Sequence, residues 1–142
     1  ETEVLVRWLD RLDAGLRPLI FGDGTQTLDW IYIDDIVEAN WLALQSEESG
    51  GVFNVCSGHE TPLLELLKIL LRIRDSSLEP EFREARKVNH VSRRVGDPQK
   101  AAERLRFRAR VPLEKGLESF VRWRDAVLAK EKRPREVSSQ VQ

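Results

Sequence analysis

Residues 18–46, PLIFGDGTQTLDWIYIDDIVEANWLALQS, constrain this chain more than any other stretch. Pro18 halts any helix that precedes it. Leu19, Ile20 and Phe21 form a short apolar run that ends at Gly22, and residues 22–27 carry turn chemistry. Trp30, Ile31, Tyr32 and Ile33 are apolar at every position, which predicts a second, buried strand. Asp34 or Asp35 offers an N-cap for a helix over about 36–46, packed through Ile36, Val37, Ala39, Trp41, Leu42 and Leu44. The turn itself has three readings. A calcium loop starting at Asp23 fails, because Leu28 falls where the sharp-turn glycine belongs and Asp34 where a bidentate glutamate belongs. A plain turn is satisfied by Gly22 and Gly24 at positive φ, with Asp29 bonding nearby backbone. The third reading is part of a substrate site.

The remaining chain alternates helices and short strands. Val4, Leu5, Trp8, Leu9 and Leu12 share one face of a helix over 3–14, with Gly15 as its C′ residue. Val52–Val55 reads as a strand. Thr61 supplies an N-cap and Pro62 the first position of a helix over about 62–73. Residues 79–84 alternate weakly as a strand, Asp97-Pro98 starts a short helix to about Leu105, and a last helix spans 113–128 with Leu117, Phe120, Val121 and Val127 inward. The expected division is one segment over 1–128 and a charged, disordered tail over 129–142. This order argues for an α/β or α+β class. No strand leads through a G-x-G-x-x-G turn into a helix, so the ready-made pyrophosphate cradle is missing.

Composition removes several functions. The 142 residues are 41% hydrophobic and 33% charged, with a net charge of −1, so no overall field recruits nucleic acid or an anionic membrane. The longest apolar run is broken by Glu65 and Lys68, and no signal peptide opens the chain. One cysteine, Cys56, excludes an internal disulfide and points to a cytoplasmic setting. Two histidines, His59 and His90, and that cysteine give no zinc spacing, and His59 has no acid and nucleophile arranged with it. The chain starts at Glu1 and contains no methionine, which suggests a trimmed chain or a piece of something longer.

Four segments in order resemble the nucleotide-sugar epimerases and dehydratases of the extended short-chain dehydrogenase/reductase family. PLIFGDGTQTLDWIYIDDIVEANWLAL is similar to the family's FGDG-x-Q-x-R-D-F-V-Y-V-D-D stretch and its alanine-rich helix. GGVFNVCSGHETPLLELLKIL resembles G-x-x-x-N-V-G-S-G and the helix after it, GDPQKAAERLRF resembles A-D-x-S-K-A-x-x-x-L-G-W, and VPLEKGLESFVRWRD resembles the final L-E-E-G-L helix. The resemblance covers residues 3–125 and implies the C-terminal, substrate-binding portion of the fold without its N-terminal Rossmann half. It implies nucleotide-sugar isomerase chemistry in carbohydrate metabolism, with NAD as the complete enzyme's cofactor. The family's catalytic tyrosine–lysine pair is absent: the only tyrosine is Tyr32, and four residues on stands Ile36. The expectation is therefore a chain with no catalytic residue of its own and no bound cofactor or metal. Its partner would be a nucleotide-sugar, with a Rossmann-domain protein or a second copy as a further one.

The resemblance also assigns site residues. Phe21 matches an aromatic near the base, and Gln26 a polar contact to ribose or phosphate. Leu28 stands where an arginine commonly grips the pyrophosphate, a departure that removes a charge-assisted hydrogen bond. Arg86, Arg93 and Arg94 follow in RKVNHVSRRVGD, and Arg94 is the compensating candidate. Asp97 is a substrate contact if RVGD is the family's R-P-G-D turn, and a helix cap if GDPQKA is the A-D-x-S-K-A element. Asp29, Trp30, Tyr32 and Asp35 match structural positions. Cys56 and Arg106 stand where the family has glycine.

Overall fold

The protein is described by a computed structural model over residues 3–85 and 91–131. Ten elements follow in order: α1 (Val4–Asp13), β1 (Leu19–Phe21), β2 (Thr27–Asp29), α2 (Ile33–Gln45), β3 (Glu60–Pro62), α3 (Leu63–Ile73), β4 (Glu81–Arg83), β5 (Arg93–Arg94), α4 (Gln99–Arg104) and α5 (Leu113–Glu131). β1 pairs with β4 in parallel, and a second sheet has the order β3-β2-β5, antiparallel on one side of β2 and parallel on the other.

The amphipathic helices form where their periodicity places them. Trp8 and Leu9 of α1, Leu66, Leu67 and Leu70 of α3, and Leu117 and Val121 of α5 close one core around Ile20. The Trp8 indole donates to the Leu19 carbonyl at 2.8 Å, fixing α1 on β1. α1 ends as expected at Gly15, φ 68°, where the Leu16 and Gly15 N–H groups return to the Arg11 and Leu12 carbonyls. A second cluster gathers Ala39 of α2, Ala101 of α4, Leu105 and Phe107.

Several sequence expectations are corrected. The strand after the turn is Thr27–Asp29, not Trp30–Ile33, and α2 begins at Ile33. Neither aspartate caps α2. Tyr32 holds the N-cap position without a side-chain cap, and buried Asp35 instead accepts the Arg110 and Val111 N–H groups at 3.0 and 3.1 Å. Thr61 and Pro62 belong to β3, and α3 starts at Leu63. The FGDG turn supplies the missing cap: the Gln26 and Gly24 carbonyls accept the Leu63 and Leu64 N–H groups, each at 3.0 Å. Gly24 is buried there at φ 77°, and a Cβ would lie 3.2 Å from that of Leu64.

Val52–Val55 forms no strand. It is held from the side, by the Lys100 ammonium on the Val52 carbonyl at 2.8 Å and 4.9 Å from the Phe53 ring centroid. The helix expected to end at 128 continues to Glu131; residues 132–142 lie outside the described residues. Arg106 does take a positive φ, 58°, as its glycine-equivalent position implies, whereas Cys56 does not. Cys56 packs on Gly96, where a Cβ would come within 2.5 Å of its sulfur. Burial pushes the Cys56 thiol pKa up, and the Asp29 and Asp97 carboxylates add to it.

Candidate functional site

The five candidate site residues fall into three places. Phe21, at the end of β1, and Gln26, just before β2, line one open cleft of about 600 Å³ with Arg7, Trp8 and Arg11 of α1 and Leu63. The Gln26 amide donates to the Phe21 carbonyl at 3.3 Å, closing the turn between them. Leu28 and Arg94 are register partners on β2 and β5, so their side chains leave the same face of the sheet side by side. Leu28 is half-buried against the Trp8 core cluster, whereas the Arg94 side chain is exposed and its guanidinium has no hydrogen bond or ion pair among the described residues. Asp97 stands apart from both. Its Oδ1 accepts the Gln99 N–H at 2.9 Å, two residues on, just ahead of α4, whose N-cap position is held by Pro98. Arg86 and His90 lie outside the described residues.

Asp29 holds this region together. Its Oδ1 accepts the Ser57 N–H at 2.9 Å and hydroxyl at 2.5 Å, and its Oδ2 accepts the Gly58 N–H at 2.8 Å and the Gly96 N–H at 3.4 Å. One carboxylate on the central strand thus ties down the approach to β3 and the exit from β5. On the opposite face to Leu28, Arg93 forks onto Glu60 at 2.9 Å, and Thr27 donates to the same carboxylate at 2.8 Å. Arg93 first, then Thr27, holds the Glu60 carboxyl below its ordinary range. Arg93 is therefore engaged, and of the two adjacent arginines Arg94 is available to a ligand.

A second, apolar groove of about 290 Å³ is lined by Leu5, Trp30, Tyr32, Pro112, Leu113 and Phe120, among others. The Trp30 indole N–H is buried without an acceptor among the described residues. Those residues contain no cluster of histidine, cysteine or acidic groups able to hold a metal, and no helix long and apolar enough to cross a membrane. The residues present do not fit NAD. Among the described residues no strand-to-helix junction carries the glycine-rich run, and the turn at Gly24–Gln26 directs two carbonyls, not N–H groups, at the start of α3.

A small α/β unit with a parallel pair, a mixed three-stranded sheet and an open cleft beside α1 matches part of the extended short-chain dehydrogenase fold. Residues 1–56 match the family model described as NAD dependent epimerase/dehydratase family. The UDP-glucose 4-epimerase of Mycolicibacterium smegmatis is 33% identical over 121 residues, which are 85% of this chain and 38% of that protein. The crystal structure of the Thermotoga maritima UDP-glucose 4-epimerase with UDP-glucose superposes with a TM-score of 0.83 at 34% identity, over 90% of this chain and 41% of that one. A UDP-glucuronic acid 4-epimerase from Bacillus cereus, in complex with UDP-glucuronic acid and NAD, gives 0.81 at 26% identity over 88% and 40%. This chain belongs to the NAD-dependent epimerase/dehydratase family, and it spans about two-fifths of the length of these relatives.

Proposed function

We propose that this chain is the nucleotide-sugar-holding segment of an epimerase-type protein and carries out no redox step alone. The observation that carries the reading is the pairing of Leu28 with Arg94. The family's phosphate-gripping arginine is replaced by leucine, and a free guanidinium stands beside it on the next strand. Phe21 and Gln26, sharing one cleft, would hold the base and ribose; Asp97 holds the backbone just ahead of α4 instead. In a complete enzyme this segment would keep the nucleotide diphosphate in place, and the redox chemistry that NAD supplies would be held by residues outside this chain.

The test is calorimetric titration with UDP. Arg94→Ala should weaken binding about tenfold or more, the equivalent of about 1.5–3 kcal/mol for a lost charge-assisted bond. Leu28→Arg should strengthen it, at some cost in packing. Unchanged affinity in both variants places the phosphates elsewhere.

A second reading, a subunit that docks on a Rossmann-domain partner or on itself, is favoured by α2. Ile33, Val37, Trp41 and Leu44 recur at i, i+4, i+8 and i+11, and are 60%, 60%, 56% and 77% exposed. The sequence expectation that Val37, Trp41 and Leu44 pack inward is thus corrected. Sedimentation at micromolar concentration should show association. A clean monomer without hydrophobic-dye binding would favour an independent nucleotide-binding module.

A further inference from the structure

Arg124 of α5 has no part in the site that the sequence motifs mark out, yet it is a buried cation, 7% exposed. Its guanidinium forks onto α1, donating through Nη2 to Asp10 and through Nη1 to Asp13 at 2.7 Å. The two carboxylates stand three residues apart, on one side of the helix. Burying a guanidinium is costly, and even a well-paired buried ion adds little stability over an apolar side chain of similar size. What a planar fork supplies is geometry, because it fixes direction as well as distance.

Asp10 carries that geometry to the cleft. With Arg7, Trp8 and Arg11 it forms the wall that α1 gives the cleft of about 600 Å³. The facing wall is set separately, by the pairing of β1 with β4 and by the carbonyls that receive the start of α3. The Trp8 indole and the packing of Leu9 seat α1 on the core; the fork adds two directional bonds on its α5 side. Arg74, at the C-cap of α3, reaches only Asp13 on α1, and Asp13 does not line the cleft. Arg124 is thus the cation that ties a cleft-lining side chain to the far helix. It also neutralises a carboxylate that would otherwise face an anionic ligand.

We propose that Arg124 is a positioning residue for the cleft: it touches no ligand, but through Asp10 and Asp13 it sets where α1 stands against the facing wall. This inference rests on the nucleotide reading above. The test is calorimetric titration with UDP at neutral pH, well below the melting transition of each variant. Asp10→Asn carries it, because that side chain is 58% exposed and its loss leaves the fold standing. Removing an anion from a cleft that takes a diphosphate should by charge alone tighten binding; loosening the α1 wall should weaken it. We expect Asp10→Asn to weaken UDP binding about threefold to tenfold, the scale of coupling within one ion-pair network. Arg124→Met should weaken it at least as much, and the double variant no more than Arg124→Met alone, since both changes break the same contact. Arg124→Lys, which keeps the charge without the fork, should recover only part of the affinity. Arg122→Met, on the same helix but bonded only to Ser119 among the described residues, should change nothing. Tighter or unchanged binding in Asp10→Asn, additive losses in the double variant, or lower melting temperatures with unchanged UDP affinity overturn the positioning role. If Arg94→Ala, measured in parallel, loses affinity while Asp10→Asn does not, the nucleotide reading stands and this inference falls. Failure of the wild-type chain to bind UDP overturns both.

Discussion

Asp29 offers the sharpest test of how this fold is held. Its carboxylate receives three hydrogen bonds shorter than 3.0 Å and one of 3.4 Å, all from the 57–58 turn and Gly96. A hydrogen bond to a charged acceptor contributes about 1.5–3 kcal/mol, so simple addition over the three short ones gives about 4.5–9 kcal/mol. That sum is too large for a half-buried site, because water can reach part of the vacated space and rehydrate Ser57. For Asp29→Ala we expect a loss of about 3–4 kcal/mol, a large share of the about 5–15 kcal/mol that stabilises an ordinary domain. Asp29→Asn should be milder, at about 2–3 kcal/mol. One amide oxygen keeps the Ser57 pair, while the NH₂ group confronts the Gly58 and Gly96 donors. Guanidinium denaturation followed by tryptophan fluorescence gives the stabilities. Amide exchange gives the location, since Ser57 and Gly58 should lose protection before the α3 core does. A loss below about 1 kcal/mol in the alanine variant would refute the reasoning, because the carboxylate would then not be organising the segments around β2.

Arg124 should matter through charge. Its nearly buried guanidinium joins α5 to Asp13, at 2.7 Å, and to Asp10 of α1, while Arg74 also binds Asp13 and reaches Asp125 at 2.7 Å. Arg124→Met should cost about 2 kcal/mol, less than the loss of a fully buried pair, because Asp10 is largely exposed and Asp13 keeps Arg74. Burial pushes the Asp13 carboxyl pKa up, but Arg124 and Arg74 outweigh it and hold it below 3.8. The folded pKa is depressed, so this stabilisation is complete above the unfolded value and disappears as pH falls through the folded one. Acid melting curves of the wild type should show that loss below about pH 4, and Arg124→Met should show less of it. Finally, Arg106→Gly should raise stability by about 0.5–1 kcal/mol, the relief at φ 58° less the entropy of a freer unfolded chain. A drop in melting temperature would place the strain elsewhere.

The elements legible in the sequence are those with local causes. α1, α3 and α5 follow from apolar residues at helical spacing, and β1 from an apolar tripeptide between Pro18 and Gly22. What was not legible depends on partners far along the chain. Thr27–Asp29 has no strand pattern, and it pairs because Asp29 draws the 57–58 turn and Gly96 onto it. The apolar run Trp30–Ile33 passes for a strand because periodicity cannot separate a buried strand from a groove lining that enters a helix. Asp35 reads as a cap, yet its bonding partners lie 75 residues on. The candidate site was read from motifs, Phe21, Gln26 and Arg94 above all, and its two cleft-lining members, Phe21 and Gln26, are brought together by the fold. Arg7, which lines the same cleft, was not singled out, because an arginine on the polar side of an amphipathic helix gives the same signal whether it faces solvent or a cleft. Its position one residue before the buried Trp8 was the available hint.

The two hydrophobic clusters explain how such a segment can keep an open cleft in place and still expose apolar surface. α1, α3 and α5 bury their large side chains against β1 and β2, so the cleft beside α1 rests on a core built from this chain's own residues. α2 is different. Its inward face contributes only Ala39 and partly buried Leu42 to the smaller cluster, and its bulkiest residues face outward. Burying a large apolar side chain contributes about 1.5–3 kcal/mol, so the outward row from Ile33 to Leu44 represents stabilisation that this fold does not itself collect. The candidate nucleotide site and the candidate docking surface therefore rest on different parts of the chain. Trp41 can be changed without touching the cleft, and Arg94 without touching α2, so the proposed ligand binding and the proposed association can be tested separately.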